Sequence, residues 1–128
     1  MKKILFLFIL TSIIFSCKKE KIIEQHPEFV GYWIQQTDEG LFHKLDIRSE
    51  SKGTFYECSG GATGDCADTQ FRKWRIKNND LYYGIGNNLG EIMQYPTTAT
   101  IDILFGNNDT IKTGKRYMIL NYSYYVEE

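Results

Sequence analysis

Leu41-Phe42-His43-Lys44-Leu45-Asp46-Ile47-Arg48 shows the dominant pattern of this chain in its plainest form. Leu41, His43, Leu45 and Ile47 occupy the odd positions, and Lys44, Asp46 and Arg48 fall between them. Successive side chains of a strand point to opposite faces, so a period of two predicts a half-buried strand with one dry and one wet face. His43 falls on the dry set, as a packed or pocket-lining residue.

The same period recurs on both sides. Upstream, Phe29-Val30-Gly31-Tyr32-Trp33-Ile34 reads as a first strand. Downstream, Gly53 to Cys58 is a short aromatic strand, and from Phe71 to Ile76 the pair Trp74 and Ile76 faces away from Lys73 and Arg75. Lys77-Asn78-Asn79-Asp80 is a turn, because Asn tolerates a left-handed backbone. Leu81, Tyr83 and Ile85 then alternate with Tyr82 and two glycines, and Asn87 to Gly90 turns again. Glu91 to Tyr95 is a strand stopped by Pro96, which cannot donate to a ladder. Thr97 to Phe105 sets Ala99, Ile101, Ile103 and Phe105 against Thr98, Thr100 and Asp102; Gly106 to Asp109 turns, and Thr110 to Thr113 is short. Tyr117 to Val126 closes the chain, with Met118, Leu120, Tyr122, Tyr124 and Val126 on one face and Tyr125 on the other.

Composition agrees. After residue 16 there are only three alanines and six leucines, the strong apolar helix formers, against nine tyrosines, two tryptophans and eleven glycines. The expectation is an all-β domain of about eight strands joined by short turns. Sequential strands usually pair, so the simplest topology is an antiparallel up-and-down meander, closed or half-open as a small barrel, with a sandwich as the alternative.

The N-terminus has a different character. Lys2 and Lys3 precede a largely apolar run from Ile4 to Phe15, followed by Ser16 and Cys17, the layout of a secretory signal peptide over residues 1–16. Lys18 and Lys19 end the run short of the ~20 residues a spanning helix needs. Residues 17–28 contain Lys18-Lys19-Glu20-Lys21 and Pro27 without strand alternation, and read as a flexible tether ahead of a domain over 29–128. The leader holds two of the fifteen basic residues and none of the sixteen acidic ones, so the mature chain carries −3. That balance excludes a strongly basic nucleic-acid binder.

Ile14-Phe15-Ser16-Cys17 resembles the bacterial lipobox. The resemblance implies diacylglyceryl transfer to the Cys17 thiol, cleavage before it and acylation of the new amine, which anchors the chain in a membrane through several acyl chains. The charged run after Cys17 is similar to the export signal of surface lipoproteins in some Gram-negative bacteria. The implied location is the outer membrane, facing periplasm or cell surface.

Within the domain, Phe29-Val30-Gly31-Tyr32-Trp33 resembles the Gly-x-Trp start of lipocalins. Lys52-Gly53-Thr54-Phe55 and Trp74-Arg75-Ile76 followed by Asn79-Asp80-Leu81 are similar to lipocalin-like bacterial lipoproteins. The resemblance implies a barrel with Trp33 packed at its closed end, and Trp74 reads as a second structural tryptophan. The mature chain is shorter than a full lipocalin, which argues against a deep ligand cavity.

An exported chain meets an oxidising compartment. With Cys17 taken by lipid, Cys58 and Cys66 are the remaining pair, and the glycine-rich segment between them can curl back. Closing a loop of about nine residues contributes roughly 2.6 kcal/mol in the chain-entropy account. That loop lacks the Lys-Ser/Thr of a phosphate-binding loop, and Asp65 and Asp68 match no Ca²⁺-loop spacing. His26 and His43 have no spacing partners for a metal site or a triad, and Glu57, Asp46 and Asp102 read as outward strand charges. No cofactor, metal or catalytic residue is expected. Asp109-Thr110-Ile111 resembles an O-glycosylation acceptor of some Gram-negative bacteria, with Thr110 as the modified residue.

Tyr82, Tyr83, Tyr95, Tyr117, Tyr122, Tyr124 and Tyr125 exceed the needs of a small core. They serve as cross-strand pairs or as a binding patch, with His43, Tyr82 and Tyr125 as candidate ligand contacts. The functional expectation is a non-enzymatic envelope lipoprotein that binds a small apolar or glycan ligand, or accompanies an envelope protein complex. The alternative is an inhibitor or immunity lipoprotein, because Tyr56-Glu57-Cys58-Ser59-Gly60 resembles a segment of proteins that block lysozyme-like enzymes.

Overall fold

The computed structural model describes residues 21–37, 41–59, 66–71, 73–106 and 109–128. The described chain is all-β. Its strands are β1 (Lys21–Ile22), β2 (Gly31–Gln35), β3 (Leu41–Ser49), β4 (Lys52–Ser59), β5 (Cys66–Phe71), β6 (Trp74–Lys77), β7 (Asp80–Tyr83), β8 (Asn87–Thr98), β9 (Ile103–Phe105), β10 (Asp109–Ile111), β11 (Arg116–Leu120) and β12 (Ser123–Glu127). Two 3₁₀ turns, Ile23–Gln25 and Pro27–Phe29, join β1 to β2.

Ten strands form one antiparallel sheet in the order β1-β6-β7-β8-β11-β12-β2-β3-β4-β5, and β9 and β10 form a separate hairpin. The runs β2 to β5, β6 to β8 and β11 to β12 pair sequentially as in a meander, while β1 pairs with β6, β8 skips the β9–β10 hairpin to pair with β11, and β12 returns to β2 so that the two halves of the chain meet. Of the closed or half-open forms expected, no closed barrel is found among the described residues: β1 and β5 are edges, and β5 does not pair with β6. The sheet nevertheless wraps one core. Phe55 of β4 stacks on Tyr83 of β7 with ring centroids 4.5 Å apart, across what would be the open seam. Trp33, Leu45, Ile47, Phe55, Trp74, Ile76, Leu81, Ile92, Met118 and Leu120 are all buried in that core.

Several sequence expectations hold in detail. Leu45 and Ile47 are buried while Arg48 is exposed, and Trp74 and Ile76 are buried beside exposed Lys73 and Lys77. The β6–β7 turn carries Asn78 and Asn79 at positive φ.

Others need correction. Residues 21–28, expected to belong to a flexible tether, are folded: Lys21 and Ile22 pair with Ile76 and Arg75, and Ile23 is 1% exposed. Ile23 and Phe29 bring apolar surface that Pro27 turns back onto the sheet, and burial of that surface outweighs the cost of ordering the segment. Phe29 accordingly lies in a 3₁₀ turn, and its carbonyl accepts from the Trp33 indole at 2.8 Å.

Pro96 lies inside β8 instead of ending a strand. It is accommodated by an irregularity, where Thr97 opposes Tyr117 but Gln94 opposes Ile119. The segment Asn87–Gly90, expected as a turn, begins β8, and the turn is Gly84-Ile85-Gly86, with both glycines at positive φ and Ile85 fully exposed. The run Thr97–Phe105 breaks after Thr98, leaving Ile101 exposed. There the Asp102 carboxylate accepts from the Thr113 N–H and hydroxyl, both at 2.8 Å, an alternative to ladder pairing.

The final correction inverts a face. Tyr117–Val126 is two strands joined at Asn121-Tyr122, both at positive φ (47° and 66°), as a two-residue hairpin turn demands. Cross-strand partners share a face, and Met118 pairs with Tyr125. Tyr125 is therefore 3% exposed in the core, and Tyr122 is 81% exposed at the tip.

Candidate functional site

The residues expected to contact a ligand do not converge. Tyr125 is a core residue, and burial pushes its phenol far above the ordinary tyrosine range. Tyr82 lies on the outer face of β7 under the Arg75 guanidinium, 5.9 Å from the ring centroid. His43 sits half-buried on the inner face of β3. Its ring lies 4.9 Å from Phe55, and its backbone N–H donates to Gln35 Oε1 at 2.9 Å. Burial lowers the His43 pKa, against an opposing pull from Glu57, its register partner on β4. That environment favours a neutral imidazole packed on an aromatic wall.

Both tryptophans are fully buried in the core. Trp33 is fully buried with the Arg116 guanidinium 5.1 Å over its ring, and Arg116 is held by Glu127 at 2.8 Å and by the Glu28 carbonyl. Trp74 lies against Gly53, where a β-carbon would come within 2.2 Å of its indole nitrogen. Cys58 and Cys66 are register partners on β4 and β5 and are disulfide-bonded. The carboxylates do not pair with one another: Asp46 holds Arg48 at 3.0 Å, and Asp102 holds Lys112 at 3.4 Å. Cys17 and Asp65 lie outside the described residues.

A different cluster forms where the β9–β10 hairpin folds over the β11–β12 turn. Phe105, Gly106, Tyr122, Ser123 and Tyr124, with Gln36 and Thr37 after β2, line an open groove of about 260 Å³. Phe105 and Tyr124 stack at 5.4 Å with their planes 25° apart, and Tyr117 continues the row at 6.2 Å from Tyr124. The polar side is fixed by hydrogen bonds. Gln36 N–H donates to the Tyr124 carbonyl at 2.8 Å, Gln36 Nε2 to the Ile34 carbonyl at 2.9 Å, and Gln35 Nε2 to Ser123 Oγ at 3.1 Å. Aromatic faces beside an ordered amide and hydroxyls suit a ligand with both C–H faces and hydroxyl groups.

Tyr122 and Tyr124 belong to the tyrosine surplus visible in the sequence. Gln36, Thr37 and Phe105 carried no signal, because only the folded hairpin brings them together. No protein-family model matches the chain, and no curated protein or solved structure matches it.

Proposed function

We propose that this chain is a non-enzymatic lipoprotein of the outer membrane, anchored through Cys17, whose half-open lipocalin-like domain binds a glycan in the groove between β9–β10 and β11–β12. The observation that carries this reading is Tyr122. A tyrosine at φ 66°, 81% exposed, occupies a turn position that Asn or Gly fills without strain. Strain retained at an exposed aromatic is the mark of a residue kept for contact. The stacked Phe105 and Tyr124 offer apolar ring surface to a pyranose, and Gln36 and Ser123 bring polar groups to the same groove. A core filled by Trp33, Trp74 and Phe29 favours a surface ligand over an apolar one held inside.

Glycan-array binding by the purified full chain tests this, with Tyr122→Ala and Tyr124→Ala alongside. Saccharide binding lost in both variants, with unchanged melting for Tyr122→Ala, supports the reading; equal binding by all three overturns it. The inhibitor or immunity reading is favoured by the disulfide that ties the β4–β5 edge hairpin. Its sign is a silent array together with stoichiometric capture of a lysozyme-like enzyme.

A further inference from the structure

The first described residue after Cys17 is Lys21, which pairs with Ile76 of β6 in the sheet. Four residue steps separate it from Cys17, a reach of at most about 14 Å for an extended chain. Cys17 is therefore bound by chain length to lie near one particular edge of the sheet. The register gives its direction. Ile22 opposes Arg75 and Lys21 opposes Ile76, so the chain leaves the sheet toward Lys77.

That edge is basic. β6 buries Trp74 and Ile76 and turns Arg75 and Lys77 outward, with exposed Lys73 just before the strand. Arg75 lies over the Tyr82 ring, which fixes its guanidinium on the outer face. The intervening sequence, Lys18-Lys19-Glu20, adds two lysines and one glutamate. Two carboxylates share that face at its Lys77 end: Asp80 is the register partner of Lys77, and Glu91 that of Asp80, while Arg75 is opposed by Tyr82. The mature chain as a whole is acidic, so this strip runs against the overall balance.

The geometry points to a second contact with the membrane: the outer face of β6, through Lys73, Arg75 and Lys77, rests on the anionic headgroups of the leaflet that holds the Cys17 acyl chains. This inference rests on the proposed lipid anchor. Basic side chains tethered within a Debye length or two of an anionic surface are attracted to it, and Tyr82 supplies an amphipathic ring at headgroup depth. The sheet would then lie with the outer face of its β6–β7 side against the leaflet.

The test uses the full acylated chain in vesicles of phosphatidylcholine alone or mixed with phosphatidylglycerol, with lysine acetylation read residue by residue by mass spectrometry. Labelling of Lys73 and Lys77 should fall by about threefold or more on the anionic vesicles relative to Lys112 and Lys115, and recover in about half-molar salt. In the Arg75→Glu/Lys77→Glu variant, which remains acylated, protection of Lys73 should vanish. Equal labelling on both vesicle types, or protection that persists in the variant, overturns the electrostatic contact. An intact mass without acyl chains on Cys17 instead removes the anchor reading, and the membrane contact with it.

Discussion

Tyr125 and Tyr122 sit three residues apart and have opposite fates. Tyr125 pairs with Met118 inside the core, so Tyr125→Ala should destabilise the domain by about 3–5 kcal/mol, as large-to-small core changes do. Guanidinium unfolding measures this, and a loss under about 1 kcal/mol would return the ring to the outer face. Its raised pKa has a signed consequence. The unfolded phenol ionises near pH 10 and the folded one well above, so the unfolded state binds fewer protons above pH ~10 and stability falls as pH rises. Tyr125→Phe has no phenol to ionise, and its melting temperature should decline less between pH 9 and about 11 than that of the wild type. Tyr122 behaves differently. Tyr122→Gly accepts the left-handed φ without a β-carbon and should melt at or above the wild type, by up to about 1 kcal/mol, while losing saccharide binding. A variant that both melts lower and binds normally would make Tyr122 a structural residue.

At the scale of elements, Gly53 shows how a strand is positioned by what it lacks. A β-carbon there would meet the Trp74 indole at 2.2 Å and the Asp46 carbonyl at 2.3 Å, so neither neighbour could keep its place. Gly53→Ala should cost on the order of 1–3 kcal/mol, the range for overpacking, with Trp74 fluorescence shifted toward a more polar environment. A variant with unchanged melting and emission would show that β6 can slide at no cost. The same comparison explains what the sequence disclosed. β3, with a strict period of two, was legible to within a residue, because its two faces meet different solvents; in β6 the buried and exposed faces were legible but not the start, since Phe71 belongs to β5 and β6 begins at Trp74. The Asn78-Asn79 turn was legible because its side chains announce the backbone. The Asn121-Tyr122 turn was not, since a tyrosine in that position reads as one more strand residue, and joining the two strands moved Tyr125 to the wrong face. Pro96 read as a strand end because the irregularity that accommodates it depends on the partner strand. The groove was legible only as a surplus of tyrosines, for its lining comes from three separate parts of the chain.

For the whole molecule, the question is what joins a sheet that shows no closing hydrogen bonds among the described residues. β1 and the two 3₁₀ turns supply the answer: Ile23 and Phe29, at 1% and 0% exposure, fill the core cluster from outside the meander. His26 and Phe29 also pack on Tyr95 of β8, at 5.5 and 5.6 Å, and Tyr95 donates to Asn79 Oδ1 at 2.9 Å beside the β6–β7 turn. The segment thus connects β6, β8 and β2, no two of which are neighbours in strand order. Ile23→Ala should cost about 2–5 kcal/mol in equilibrium unfolding, a large share of the 5–15 kcal/mol available to a domain of this size. Glu24→Ala, on an exposed neighbour, should stay within about 0.5 kcal/mol. Hydrogen exchange in the Ile23→Ala chain should quicken in β6 and β7 before β3 and β4, because the former lean on the N-terminal segment and the latter on β2. If both variants unfold like the wild type, residues 21–28 are a spacer after all. The basic edge would then swing free of the leaflet, since a leash long enough to reach Phe29 no longer fixes which face meets the membrane.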